Sequence, residues 1–348
     1  MLKWTNSTSA SYSSPTIPNV YTKPFLLSNL AQSLPNFAKF QQETGLADFF
    51  WELSYYQEAD KALSQIIEET DGFVIFMHGW DGTHRTWEDL PMRLVQQNPR
   101  VVCLNLDVNG FGQSPFISDP PKFEHCNLPG AMAAVEYWLN LIGLWPATYR
   151  KQKPFYLFVG HSMGGGIIFY KDEPNWRNEV YGCYAMSPGI FCNDIKRRIV
   201  YKLVGYGTLI PFVTPIKNFL ARLVIWFAMR EASQKDQQEH AEVFYATPFG
   251  TLANTIIAIG GSPKPPRTDW SQFRLALGNR DVLVSTRQTL TFVEQLGFLP
   301  HQIRVTMGDH YFFSFDETSP ITHKYNRQAV LDDLNTFCQQ LSANSQTR

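Results

Sequence analysis

Short runs of aromatic and β-branched residues at 73–77, 101–106, 155–159, 180–186, 273–277 and 303–306 set the strongest limit on what this chain can fold into. Most are too apolar to keep one face in water, which is the pattern of strands buried on both faces of a parallel sheet. Helical patterns separate most of them, notably 87–97 and 130–144. Repetition of strand, helix, strand predicts an α/β architecture, a mostly parallel sheet with helices on both faces. Alternation over 48–56 suits an early strand at the sheet margin.

The rhythm stops between 191 and 261, where helical patterns continue without a strand pair. This segment is expected to be a helical cap inserted above the sheet, dividing the core into 46–190 and 262–348. Its stretch 219–229 is apolar around nearly the whole helix, interrupted mainly by Arg222, so it must be buried or touch something oily. An oily lid over the site is the corresponding expectation, with Trp226 and Phe227 as substrate contacts; the alternative is that these side chains only pack the cap onto the core. Residues 1–45, rich in Ser, Pro, Asn and Gln and without sustained periodicity, read as an arm that lies on the domain surface or is partly disordered.

Composition excludes some partners. With 348 residues, 44% hydrophobic, the chain can bury a large core, and a formal net charge of -1 with no long basic run argues against nucleic acid. Cys103, Cys126, Cys183, Cys192 and Cys338 form no C-x-x-C pair and no disulfide framework. No apolar leader is visible at the start and no window reaches the roughly 18–20 apolar residues of a bilayer span. A cytoplasmic location is the resulting expectation, with peripheral membrane contact through the cap.

Chemistry concentrates where the run 155–159 ends in Gly160-His161-Ser162-Met163-Gly164-Gly165-Gly166. A strand that reverses into a helix strains the residue at its apex, and its neighbours two positions away must be small. This is the G-x-S-x-G nucleophile elbow, although a glycine-rich turn of this kind can also serve only as a tight turn or a phosphate loop. A serine nucleophile needs a base held by a third group. Asp281 follows the run 273–277, and His310 follows 303–306, so both stand at carboxyl ends of predicted strands in the order Ser, Asp, His. Asp281 could instead cap the helix beginning near Ser285. Asp309 competes for the acid role, but its adjacency to His310 favours Asp281. Backbone donors for an oxyanion are expected from Trp80, in the loop His78-Gly79-Trp80, and from Met163. The loop 107–114 reads as a shaping element, with Asp107 structural.

Together, His78-Gly79, the 107–114 loop, Gly160 to Gly165, Gly278 to Asp281 and Gly308 to His310 resemble the α/β-hydrolase superfamily over about 73–338, the insertion apart. Gly-His-Ser-Met-Gly-Gly is similar to the elbow of monoacylglycerol lipases and related serine esterases. The resemblance implies an α/β-hydrolase fold with Ser162 as nucleophile, His310 as base, Asp281 as acid, and Trp80 with Met163 as the oxyanion hole. It implies no metal or organic cofactor, and the histidines show no H-E-x-x-H spacing. Two features depart from the family: Lys171-Asp172-Glu173-Pro174 cuts the helix after the elbow short, and the N-terminal arm has no counterpart. Cleavage of a small lipophilic carboxylic ester is the expected reaction. Carbon-carbon or amide hydrolysis with the same triad, and a non-catalytic ligand receptor on the same fold, are the alternatives.

Overall fold

A computed structural model of the chain describes residues 17–57, 61–146, 153–171, 173–210, 229, 231–267 and 269–347. Its centre is an eight-stranded sheet: β1 (Val20–Leu26), β2 (Phe50–Tyr56), β3 (Gly72–Met77), β4 (Val101–Leu106), β5 (Phe155–His161), β6 (Val180–Met186), β7 (Phe273–Gly278) and β8 (Ile303–Thr306), in spatial order β1-β2-β4-β3-β5-β6-β7-β8. β2 runs antiparallel to both neighbours, and from β4 to β8 every pairing is parallel. This is the α/β-hydrolase fold.

The central strands β3, β4 and β5 are buried at every position, which explains their unbroken apolar runs. Helices Leu128–Leu141 and Met163–Ile167 cover one face, where Trp51 and Phe49 pack against Trp138 at ring separations of 5.2 and 5.0 Å. Helices Leu90–Gln97 and Ile321–Gln346 cover the other face, over Val74, Phe76, Leu157 and Val159. Among the described residues, 191–261 contain the helices Ile195–Thr208, Gln234–Ala246 and Phe249–Gly260 and no strand. The apolar stretch 219–229, with Trp226 and Phe227, lies outside the described residues except for Met229. No single helix among the described residues is long and apolar enough to cross a membrane.

The arm expected over 1–45, on the surface or partly disordered, carries regular structure in its described part. Residues 20–26 form β1, paired with β2 from Val20↔Tyr56 to Leu26↔Phe50, and Phe37–Thr44 is a helix. β2 is therefore the second strand, and β1 takes the margin. An edge strand has one neighbour and is only half buried, so it needs no continuous apolar run and tolerates Lys23 and Pro24.

The loop after β4 is organised by Asp107, which is fully buried. Its carboxylate accepts hydrogen bonds from the His84 backbone N–H at 2.7 Å, His84 Nδ1 at 2.8 Å and the Gln113 N–H at 2.8 Å. Burial alone would raise the Asp107 pKa, but the His84 charge and these bonds hold it below its ordinary 3.8; burial likewise opposes the charged His84 ring, yet Asp107 lifts its pKa above 6.5. A depressed carboxyl stabilises the fold above the unfolded carboxyl value, and a raised imidazole does so below the unfolded imidazole value. The pair's contribution is therefore full between pH 3.8 and 6.5 and is lost below and above that window. At pH 5, Asp107→Ala should cost about 3–5 kcal/mol in urea unfolding, since it orphans a buried cation and two amides. A cost under about 1 kcal/mol would mean that the loop does not depend on this carboxylate.

Candidate active site

β5 pairs with β6 through Gly160↔Ala185 and His161↔Met186, two residues beyond the apolar run, and the chain then turns sharply. At the apex Ser162 has φ 52° and ψ -114°, a conformation that non-glycine residues rarely adopt. The turn exists because the chain segments around it touch. A Cβ on Gly160 would sit 2.3 Å from the Gly164 carbonyl oxygen, and one on Gly164 would sit 2.1 Å from the Met77 carbonyl oxygen. Backbone bonds hold the strained residue from three sides: Ser162 N–H donates to Met186 O at 2.9 Å, while Ser162 O accepts from Gly166 N–H at 2.8 Å and Gly189 N–H at 2.7 Å. The helix that follows, Met163–Ile167, gives way to a 3-10 turn at Ile168–Tyr170, so it is as short as Lys171 to Pro174 suggested.

The loop after β3 lies directly against the serine. A Cβ on Gly79 would be 3.0 Å from Ser162 Cβ and 3.6 Å from its Oγ. Gly164 N–H donates to His78 O at 3.0 Å, which ties the two loops together. The His78 ring braces the turn: Nδ1 bonds Gly79 O at 2.7 Å and Nε2 accepts from Val108 N–H at 2.9 Å, so the proton is on Nδ1. Burial pushes the His78 pKa down to about 4, keeping the ring neutral. Trp80 N–H and Met163 N–H have no acceptor among the described residues, and Met163 opens a helix whose first amides are free. The Trp80 side chain points into the cap, with Nε1 donating to Thr255 Oγ1 at 2.9 Å and its ring against Phe244.

β7 and β8 deliver the other two groups. His310 Nδ1 lies 2.7 Å from Asp281 Oδ2, with both side chains almost fully buried. Asp281 Oδ1 accepts from Leu283 and Val284 N–H at 3.0 and 2.8 Å, which fixes the carboxylate plane. Ser285, not Asp281, caps the next helix, Thr286–Gln295. Asp309 turns away from the His310 ring: its oxygens accept from Tyr311 N–H at 2.8 Å and Glu231 N–H at 3.1 Å. His310 Nε2 is buried and has no hydrogen-bond partner, so no bond to Ser162 Oγ is made. Such bonds are often long without substrate.

Some neighbours carry no sequence assignment. His161, inside the motif itself, hydrogen-bonds the His310 carbonyl through Nε2 at 3.0 Å and packs its ring 4.7 Å from that of His310. Burial, with His310 beside it, pushes its pKa well below 6.5, so a neutral ring lies against His310. Its position before Ser162 was the available signal. Met229 packs with Ala232 and Tyr311, the residue that follows His310. His240, in the helix Gln234–Ala246, places its ring 5.3 Å from Tyr311 and its Nδ1 3.9 Å from Asp81. A cleft of about 760 Å³ lined by Arg85, Glu88, Asp89 and Arg327 lies elsewhere and does not include Ser162.

No family model and no curated protein matches the chain. Solved structures match its fold. An esterase from Thermogutta terrifontis is 13% identical at TM-score 0.58, over 85% of this chain and 95% of the other. A bromoperoxidase from Bacillus anthracis is 15% identical at TM-score 0.58, over 84% and 96%. A laboratory-evolved variant of a potato epoxide hydrolase is 13% identical at TM-score 0.57, over 85% and 97%. At these identities the likeness is one of fold.

The elbow geometry has a direct test in stability. Gly164→Ala forces a methyl into the Met77 carbonyl and should cost about 3 kcal/mol or more. Gly143→Ala, at φ 73° with nothing within 4 Å, carries only the left-handed strain of about 1–2 kcal/mol. Equal urea midpoints for the two variants would contradict the close packing described at the elbow.

Proposed function

We propose that this protein is a serine hydrolase that cleaves carboxylic esters of lipophilic acyl groups. The observation that carries the reading is the His310–Asp281 contact at 2.7 Å, which leaves His310 Nε2 unpartnered while its ring packs 4.7 Å from that of His161, the residue before the strained elbow serine. Asp281 fixes the proton on Nδ1, so Nε2 presents a lone pair. That nitrogen takes the Ser162 Oγ proton as Oγ attacks the ester carbonyl. The oxyanion is received by Trp80 N–H and Met163 N–H, a role that costs no reorganisation because both donors are already free. Nε2 then protonates the departing alcohol, and water, activated by the same nitrogen, releases the acid from the acyl-serine.

An esterase stands among the proteins of like fold, which agrees with this reading. Amide or carbon-carbon bond hydrolysis would use the same groups and differs only in substrate. For lipophilicity the support is the cap. Phe244 packs against the Trp80 ring, and Met229 against Tyr311, the residue after His310. Along the helix Ile195–Thr208 and just beyond it, Ile195, Ile199, Leu203, Tyr206 and Ile210 are exposed on a surface that also carries Lys196 and Lys202. An apolar stripe with cations suits peripheral attachment to an anionic lipid surface.

Two measurements test the reading. On p-nitrophenyl esters of graded acyl length, kcat/KM should rise with chain length, by up to ~0.8 kcal/mol of binding per methylene, until the site is full. Ser162→Ala should abolish all but a small residue of turnover, and Asp281→Asn should lower kcat by roughly 10⁴. Wild-type turnover in either variant would remove that residue from the mechanism, and fastest cleavage of acetate would remove the lipophilic substrate. Separately, the protein should float with phosphatidylserine-containing vesicles, and Ile199→Glu with Leu203→Glu should release it. Equal flotation of the double variant would show that the stripe is not the contact.

A further inference from the structure

Three polar side chains outside the proposed catalytic set converge behind His310. His323 is fully buried in the helix Ile321–Gln346, Asp309 immediately precedes His310, and Glu231 comes from the cap segment ahead of the helix Gln234–Ala246. One ligand-capable atom from each lies within 4.8 Å of the other two.

Their other contacts fix which atoms remain open. His323 Nδ1 bonds the Ser314 carbonyl at 3.0 Å, so it must carry the proton, and Nε2 presents its lone pair. That lone pair has no hydrogen-bond partner although the ring is completely buried. It faces Glu231 Oε2 at 3.7 Å. Glu231 Oε2 also accepts from Arg280 Nη2 at 3.0 Å, and Asp309 accepts from the Tyr311 and Glu231 amides. Each carboxylate keeps further lone pairs beyond those bonds. The centre of the trio is thus acceptors facing acceptors, two carboxylates against one guanidinium, and it calls for a positive centre.

A proton on Nε2 would serve poorly, because 3.7 Å is beyond hydrogen-bond length. It is close to a coordination edge: donors bound at about 2.0–2.2 Å around a tetrahedral ion stand about 3.4 Å apart. We propose that Glu231, Asp309 and His323 form a divalent-metal site for a Zn²⁺-class ion that ties the cap segment to the loop carrying His310. Imidazole nitrogen with two carboxylates selects zinc over calcium or magnesium, which take oxygen donors. The ligands come from three distant stretches of sequence, so no spacing motif announces them. The ion would hold the residue next to His310 without touching substrate, and the site stands whether or not the ester reading does.

The test uses the full-length protein, stripped with chelator and dialysed, then titrated with Zn²⁺ by calorimetry and with Co²⁺ by visible absorption. One equivalent of Zn²⁺ should bind, the melting temperature should rise with it, and Co²⁺ should give ligand-field bands of a low-coordinate nitrogen-oxygen site. Because His323→Ala empties a buried position and can fail to fold, Glu231→Gln is the second variant, at a partly exposed residue. Each should weaken Zn²⁺ binding by more than the 10- to 100-fold typical of losing a mere hydrogen-bond partner of a ligand. Less than a tenth of an equivalent of Zn²⁺, binding of Ca²⁺ in its place, or unchanged affinity in folded Glu231→Gln would overturn the assignment.

Discussion

The contact between the elbow and the loop after β3 is the constraint on which the rest of the site depends. Gly164 lies so close to the Met77 carbonyl, and Gly79 to Ser162, that neither position has room for a methyl group without displacement. This closeness brings the loop after β3 against Ser162, whose backbone is held at a positive φ. Strain of this kind persists only where surrounding structure over-determines it. Here the determinants are the bonds from Ser162 to Met186, Gly166 and Gly189.

The same economy governs the far side of the sheet. Parallel strands in the order β5, β6, β7, β8 bring their carboxyl ends to one edge, so an aspartate after β7 reaches a histidine after β8 without a long loop. His161 links the two halves, since it belongs to the elbow yet bonds the His310 carbonyl. The cap is attached to both loops rather than to one. Thr255 Oγ1 accepts a hydrogen bond from the Trp80 indole N–H, and Glu231 N–H donates to Asp309. A displacement of the cap would therefore reach both the proposed oxyanion donors and the histidine loop.

Much of this arrangement was legible in the sequence, for a physical reason. Strands buried on both faces must be apolar throughout, so β3 to β7 announce themselves, and the glycines around Ser162 are dictated by backbone contacts that no other residue allows. β1 escaped because an edge strand is free to carry Lys23 and Pro24. Asp281 rather than Asp309 was expected beside His310 from the strand ends, and His310 Nδ1 lies 2.7 Å from Asp281 Oδ2. What Asp309 does instead was not readable, because its neighbours Glu231 and His323 meet it only through tertiary packing. The same holds for the contacts of Trp80 with Phe244 and Thr255, which join segments more than a hundred residues apart. The expected contacts at Trp226 and Phe227 fall outside the described residues.

The central claim is that Ser162 is a nucleophile activated by His310. Reaction with a fluorophosphonate, followed by peptide mapping in a mass spectrometer, tests it without knowledge of the natural substrate. The account predicts a single stoichiometric adduct on Ser162 in the wild-type protein and its near-complete loss in His310→Ala. An unlabelled wild-type protein, an adduct on a different residue, or labelling of Ser162 that is indifferent to His310 would contradict it.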